Sequence, residues 1–298
     1  AKNIKIEGNF KNILICGMGG SGLAGDILRF FEEKPIYIHR DYGLPRVADE
    51  NSLVICVSYS GNTEETISSL KEAFGRNLKV ICIASGGQME QICKENKIIF
   101  VKIPSGIQPR SATGYIFSAL VEILENSGML QNISSQILNT ADTLKKINSD
   151  IENDGKKLSQ KIFKKIPLVY ASDNLQSIAR IWKIKFNENS KIPSFYNYLP
   201  ELNHNEMVGF TNAAKNFHLI ILKDQNDHPR TLKRMDLMAK ILSKKGIKTE
   251  FVNIREGSLL FKLFSNLLLG EWTSYYLALK YKIDPTPVEM VEEFKKLL

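Results

Sequence analysis

The sequence predicts an α/β protein of two similar subdomains, each a parallel β-sheet flanked by helices. Three observations carry this. Short runs rich in Ile and Val alternate with longer segments of helical periodicity, the pattern of βαβ units. From about residue 116 to 165 the strand signal disappears. The alternation then resumes with a strand–turn–helix, 166–186, that parallels the opening one. Residues 1–130 are expected to form the first subdomain, 131–165 a helical linker, and 166–298 the second subdomain with C-terminal helices.

The elements follow in order. NILICG (12–17), LVICVS (53–58), KVICIA (79–84) and KIIFVKI (97–103) read as strands buried on both faces. SGLAGDILRFFEE, TEETISSLKEAF and QMEQICKEN lie between them and read as helices. Asn62 or Thr63 can cap the second of these, which carries glutamates in its first turn. A pair of helices is expected through the strand-free stretch. The second half reads as IPLVYAS (166–172), a helix through LQSIARIWKIKFNE, HLIILKD (218–224), a helix over about 229–244, KTEFVNI (248–254) and a long helix through LFKLFSNLLLGEWTSYYLALKY. Two such halves would leave a cleft between them, a common place for a ligand.

Composition bounds the function. The chain has 298 residues, 43% hydrophobic and 24% charged, ordinary values for a globular protein. No apolar run reaches membrane-spanning length, so no membrane partner is expected. The opening AKNIKIEGNFKN has no apolar signal core, and a cytoplasmic protein is expected. The net charge of +8 favours anionic partners. Its lysines fall in spaced clusters without interleaved aromatics, which points to phosphorylated small molecules rather than nucleic acid. Cys16, Cys56 and Cys82 sit in strand-like runs, and with Cys93 they form no C-x-x-C pair. Buried thiols in a reducing compartment fit this usage. His39, His204, His218 and His228 are scattered, so no metal site is expected.

Two loops carry the chemistry. ICGMGGSG (15–22) fits G-x-G-x-x-G through Gly17, Gly19 and Gly22, between a strand and a helix. Glycines there admit an anion to the backbone and to the helix N-terminus. A dinucleotide site is one reading, with Asp41 as the ribose acid. A tight turn using glycine for sterics alone is another. LVICVSYSGNTEET then ends its strand in Ser58, Ser60 and Thr63, with Gly61 among them. Several hydroxyls at one strand end suit a single phosphoryl group, because hydroxyl rotors adapt to its three oxygens. With Gly20 and Ser21 of the first loop they form a candidate phosphate site.

GMGGSGLAGD together with SYSGNTEET resembles the sugar isomerase (SIS) domain. From about residue 12 onward, including IPSGIQPRSATGY, FNENSK, ELNHNE and YYLALKYKIDPTPVE, the chain resembles the bifunctional phosphoglucose/phosphomannose isomerases. The resemblance implies two SIS-type subdomains. It also implies aldose–ketose isomerisation of fructose 6-phosphate with glucose 6-phosphate and mannose 6-phosphate through a cis-enediol, with no cofactor or metal.

The same resemblance assigns roles. Glu188 in FNENSK matches the base; on composition alone it is a helix-end carboxylate with Glu201 and Glu206 as rivals. His204 matches the ring-opening histidine, which in the family reaches in from a partner subunit, so a homodimer is implied. Arg110 matches the arginine facing the developing enediolate charge, and its guanidinium stays charged throughout. Lys280 matches the lysine that assists ring opening. Thr273, seven residues earlier, stands where glucose-specific relatives carry glutamine, and its smaller size would admit the C2 epimer. Thr273 reads equally as a buried polar residue of the long helix. A non-catalytic phosphosugar sensor, an NAD-dependent dehydrogenase and a metal-dependent isomerase are the competing functions.

Overall fold

The computed structural model describes residues 1–131, 133–212 and 216–298. The chain divides into two compact units, Ala1–Asn139 and Thr140–Leu298.

The first unit runs β1 (Asn12–Cys16), α1 (Gly19–Leu28), β2 (Ile36–His39), β3 (Ser52–Val57), α2 (Glu64–Gly75), β4 (Lys79–Ala84), α3 (Gly87–Glu95), β5 (Ile99–Lys102) and α4 (Thr113–Asn126). Its five strands are ordered β2-β1-β3-β4-β5, and every pairing is parallel. β1 and β3 are buried along their whole length, as expected of central strands between helical layers. Cys16, Cys56 and Cys82 are register partners across β1, β3 and β4. They share one core cluster with Cys93 of α3, and all four thiols are buried and free.

Helix α5 (Ser134–Ile162) carries the chain from the first unit into the second. There follow β6 (Ile166–Ser172), α6 (Gln176–Glu188), β7 (Phe195–Leu199), α7 (Glu206–Gly209), β8 (Phe217–Lys223), α8 (Pro229–Ser243), β9 (Lys248–Asn253), α9 (Leu259–Tyr281) and α10 (Glu289–Leu297). The four strands are ordered β7-β6-β8-β9, again all parallel. The two sheets thus repeat one strand order, as the paired strand–turn–helix segments lead one to expect. Tyr170, Leu219, Ile221, Met235 and Met238 anchor the core beneath β6, β8 and α8. Among the described residues, no helix is long and apolar enough to cross a membrane.

Two strands are absent from the sequence reading, β2 and β7. Both are sheet edges, and their residues are mostly half-buried or exposed. An edge strand needs no continuous apolar run, so periodicity does not announce it.

Candidate active site

In an open parallel sheet, ligands bind beyond the carboxyl ends of the strands, where the strand order reverses. In the first unit that point lies between β1 and β3. The two loops singled out in the sequence, 17–22 and 58–63, leave those two strands.

The glycine loop is built for close approach. A Cβ on Gly20 would lie 2.6 Å from the backbone nitrogen of Arg110 and 2.6 Å from the carbonyl carbon of Pro109. Gly20 therefore lets the short helical turn Pro109–Ser111 rest on α1. Arg110 is buried in that turn, and its guanidinium donates to Gln108 Oε1 at 3.4 Å. Gly19 has φ +47°, a left-handed conformation that glycine adopts without a steric penalty. Helix α1 begins without a side-chain cap or an acidic first turn among the described residues. Its N-terminal dipole is thus left for an anion.

The second loop closes on itself through hydroxyls. Ser58 Oγ and Thr63 Oγ1 are 2.8 Å apart, and Ser58 Oγ also accepts from the Gly61 N–H at 3.1 Å and the Thr63 N–H at 3.4 Å. Ser60 Oγ accepts from the Asn62 N–H at 3.2 Å and is exposed. Neither expected cap residue caps α2 with its side chain: Thr63 turns to Ser58, and Asn62 Oδ1 accepts from the Gln88 N–H at 2.9 Å.

Tyr59 ties these loops together. Its N–H donates to Ser21 Oγ at 2.9 Å. Its carbonyl accepts from the N–H and the hydroxyl of Ser85, at 2.9 and 2.7 Å. Its phenol oxygen accepts from the Ile107 N–H at 3.1 Å, in the loop leading to Arg110. Behind the glycine loop, Arg40 pairs with buried Asp26 at 2.5 Å. Gly20, Ser21, Ser58, Thr63 and Arg110 are thereby gathered at one end of one sheet.

In the second unit, Glu188 is the last residue of α6 and half-buried. α6 packs along α9, which carries Thr273 and Lys280. Thr273 is fully buried and its hydroxyl donates to the Leu269 carbonyl at 2.7 Å. A Cβ on Gly155 of α5 would lie 2.9 Å from the Thr273 nitrogen, so this stretch of α9 is closely covered. Lys280 is exposed, with its ammonium 5.1 Å from the centre of the Phe163 ring. His204 ends the turn Glu201–His204 after β7 and is exposed. Of the rival carboxylates, Glu206 accepts from the Tyr170 phenol and from Asn197 Nδ2, and Glu201 accepts from Asn205 Nδ2 at 2.7 Å. Both are engaged in local structure. Among the described residues no cluster of three or more His, Cys, Asp or Glu side chains could hold a metal ion.

Comparison with known proteins fits this arrangement. Residues 9–123 match the SIS domain family. Residues 151–298 match the bacterial phospho-glucose isomerase C-terminal SIS domain. A bifunctional phosphoglucose/phosphomannose isomerase of Caldicellulosiruptor bescii is 36% identical over 99% of this chain and 91% of its own length. The chain belongs to the bifunctional phosphoglucose/phosphomannose isomerase family. The family's enzyme from Aquifex aeolicus is 35% identical, over 97% of this chain and 91% of its own. Among solved structures, a hypothetical protein of Thermus thermophilus superposes with a TM-score of 0.78 at 15% identity, covering 97% of this chain and 83% of that one, a likeness of fold.

In this phosphoglucose/phosphomannose isomerase family member, sequence reasoning missed Tyr59, Asp26 and Arg40. Their roles depend on which loop meets which. One signal was in view: Tyr59 stands inside the hydroxyl-rich motif, as the one large side chain between Ser58 and Ser60.

Proposed function

We propose that this chain interconverts fructose 6-phosphate with glucose 6-phosphate and mannose 6-phosphate, by proton transfer through a cis-enediol and with no metal ion. The observation that carries the reading is the cluster of Ser21, Ser58 and Thr63 hydroxyls at the β1–β3 switch point, in a member of this family. The phosphoryl oxygens would take the Ser58, Ser60 and Thr63 hydroxyls and the Gly61, Asn62 and Thr63 N–H groups that now bond to Ser58 and Ser60. Gly20 and the uncapped start of α1 would supply further N–H groups and positive potential.

The remaining roles belong to the candidate chemical residues. Glu188 takes the proton from one of C1 and C2 and returns it to the other. Arg110 faces the enediolate oxygen as a permanent cation. Lys280 and His204 pass a proton at the ring oxygen to open the sugar. An imidazole can both give and take a proton, which suits that transfer. The exposure of His204 suits its delivery to a second copy of the chain, and the active form in this reading is a homodimer. Thr273 is fully buried, and in this reading it bears on the choice of C2 epimer through the small volume it takes up in the packing of α9. Free, buried cysteines accord with a reducing, cytoplasmic setting.

The test is isomerisation by EDTA-treated protein supplied with fructose 6-phosphate, with glucose 6-phosphate and mannose 6-phosphate both quantified. Both products are expected. Glucose 6-phosphate alone would remove the dual specificity. Saturable sugar-phosphate binding without turnover would make the chain a sensor.

A further inference from the structure

The motif Phe186–Lys191 surrounds Glu188 with polar residues, and each of them has a bonded task. Asn187 Nδ2 donates to the Ile192 carbonyl at 2.9 Å. Asn189 Nδ2 donates to Ser274 Oγ at 2.9 Å, and Ser190 Oγ donates to the Ser274 carbonyl at 2.7 Å, both buried. Lys191 Nζ donates to the Glu188 carbonyl at 2.5 Å and to the Pro285 carbonyl at 3.1 Å. One turn earlier, the Lys185 ammonium is paired with Glu271 of α9, and the Lys185 side chain is 1% exposed.

These bonds close a circuit. Lys185 reaches Glu271; the Ser274 hydroxyl donates to the Glu271 carbonyl at 2.9 Å; and Asn189 returns from Ser274 to α6. Glu188 lies between the two α6 anchors. The lysine of this pair is buried while the Glu271 side chain is 28% exposed, and the desolvation of the lysine offsets much of the attraction. A well-packed apolar pair would hold two helices together at least as well. What charge and directed hydrogen bonds add is a single register and a single rotation.

We propose that this α6–α9 seam is the positioning device of Glu188, with Lys185 and Asn189 holding, through Glu271 and Ser274, the helix end from which the carboxylate acts. The proposal rests on Glu188 being the base. Its positioning residues touch no substrate. They set where the Glu188 oxygens stand relative to C1 and C2, and misplacement there slows proton transfer steeply. Substrate affinity is left to the hydroxyl loops of the first unit.

The experiment is steady-state kinetics on the full chain with fructose 6-phosphate, for Asn189→Ala, Ser274→Ala, their double variant, Lys185→Met and Glu188→Gln. Circular dichroism and melting temperature are recorded for each. Asn189→Ala and Ser274→Ala are each expected to lower kcat about ten- to a hundredfold. KM should stay within about twofold, because the interaction lost matters only in the transition state. The double variant should be little worse than the worse single one, since both break the same bond. Lys185→Met removes the buried partner of this pair from the helix seam and can destabilise the unit, so the two milder variants decide. Wild-type kcat in folded Asn189→Ala and Ser274→Ala, beside an inactive Glu188→Gln, overturns the positioning role and leaves Glu188 as base. KM rising in step with the fall in kcat overturns it too. Wild-type turnover in Glu188→Gln removes the base itself, and the proposal with it.

Discussion

The hydroxyl oxygen of Ser21 accepts the buried N–H of Tyr59 at 2.9 Å, joining the first turn of α1 to the loop after β3. A serine hydroxyl has one proton and two lone pairs. Accepting from Tyr59 uses a lone pair and leaves the proton to donate to an anion. Ser21 therefore has a framework task, and in the proposed function a binding task as well, in one group.

Ser21→Ala separates these tasks from a plain loss of contact. The Tyr59 N–H would be left buried and unpaired, at a cost of about 1–3 kcal/mol. A fall of that size in urea-unfolding free energy, together with a higher KM for fructose 6-phosphate, is expected. Unchanged stability would show that the Tyr59 amide has another acceptor.

Glu188→Gln keeps the shape of the side chain and removes its basicity. Turnover is expected to fall by about 10²–10⁴, with KM little changed, as for loss of a general base. The same protein should bind fructose 6-phosphate with near-normal affinity in calorimetry. Turnover within a few-fold of the parent would exclude Glu188 as base.

Thr273→Gln must place a larger side chain where Thr273 is fully buried and α5 packs closely. Overpacking of this kind typically costs about 1–3 kcal/mol. Assayed well below the melting temperature, the variant is expected to lose mannose 6-phosphate formation more than glucose 6-phosphate formation. Equal loss of both products would leave Thr273 a packing residue.

His218 gives the fold a pH dependence whose sign can be worked out. It is 1% exposed on β8, and neither ring nitrogen has a hydrogen-bond partner among the described residues. Burial holds its pKa below the ordinary histidine value, helped by Lys248, Lys165 and Lys161 and opposed by Glu250. The unfolded chain takes up a proton near pH 6.5 that the folded chain refuses until lower pH. The neutral ring's contribution is thus complete above the unfolded pKa and is lost as pH falls toward the folded one. Unfolding free energy measured by urea from about pH 7.5 to about pH 5 should decline, and His218→Phe should flatten that decline. An unchanged slope would assign it to other groups.

Much of the frame was legible because central parallel strands must be apolar throughout. NILIC and LVICV could hardly be anything else. FYNYL, half-exposed at an edge, gave no such signal. The two candidate loops were legible as loops because glycine and hydroxyl residues are dense there and follow strands. The α6–α9 circuit was not. Lys185 and Glu271 are 86 residues apart in a sequence full of lysine and glutamate. Nothing in local composition separates a buried lysine from a solvated one; only the rotation of α6 against α9 does. Gly20 was legible as a glycine but not in its reason, which is the backbone of Arg110.

The thiol row of Cys16, Cys56, Cys82 and Cys93 gives the first unit a built-in clock. All four cysteines are buried in the core that the sheet shares with α2 and α3, so a bulky disulfide reagent can reach them only when that layer opens. The rate of labelling in native buffer then counts openings of the very sheet that carries the glycine and serine loops. If a sugar phosphate holds those loops closed, it slows the clock, and the slowing measures the ligand's grip without any assay of turnover.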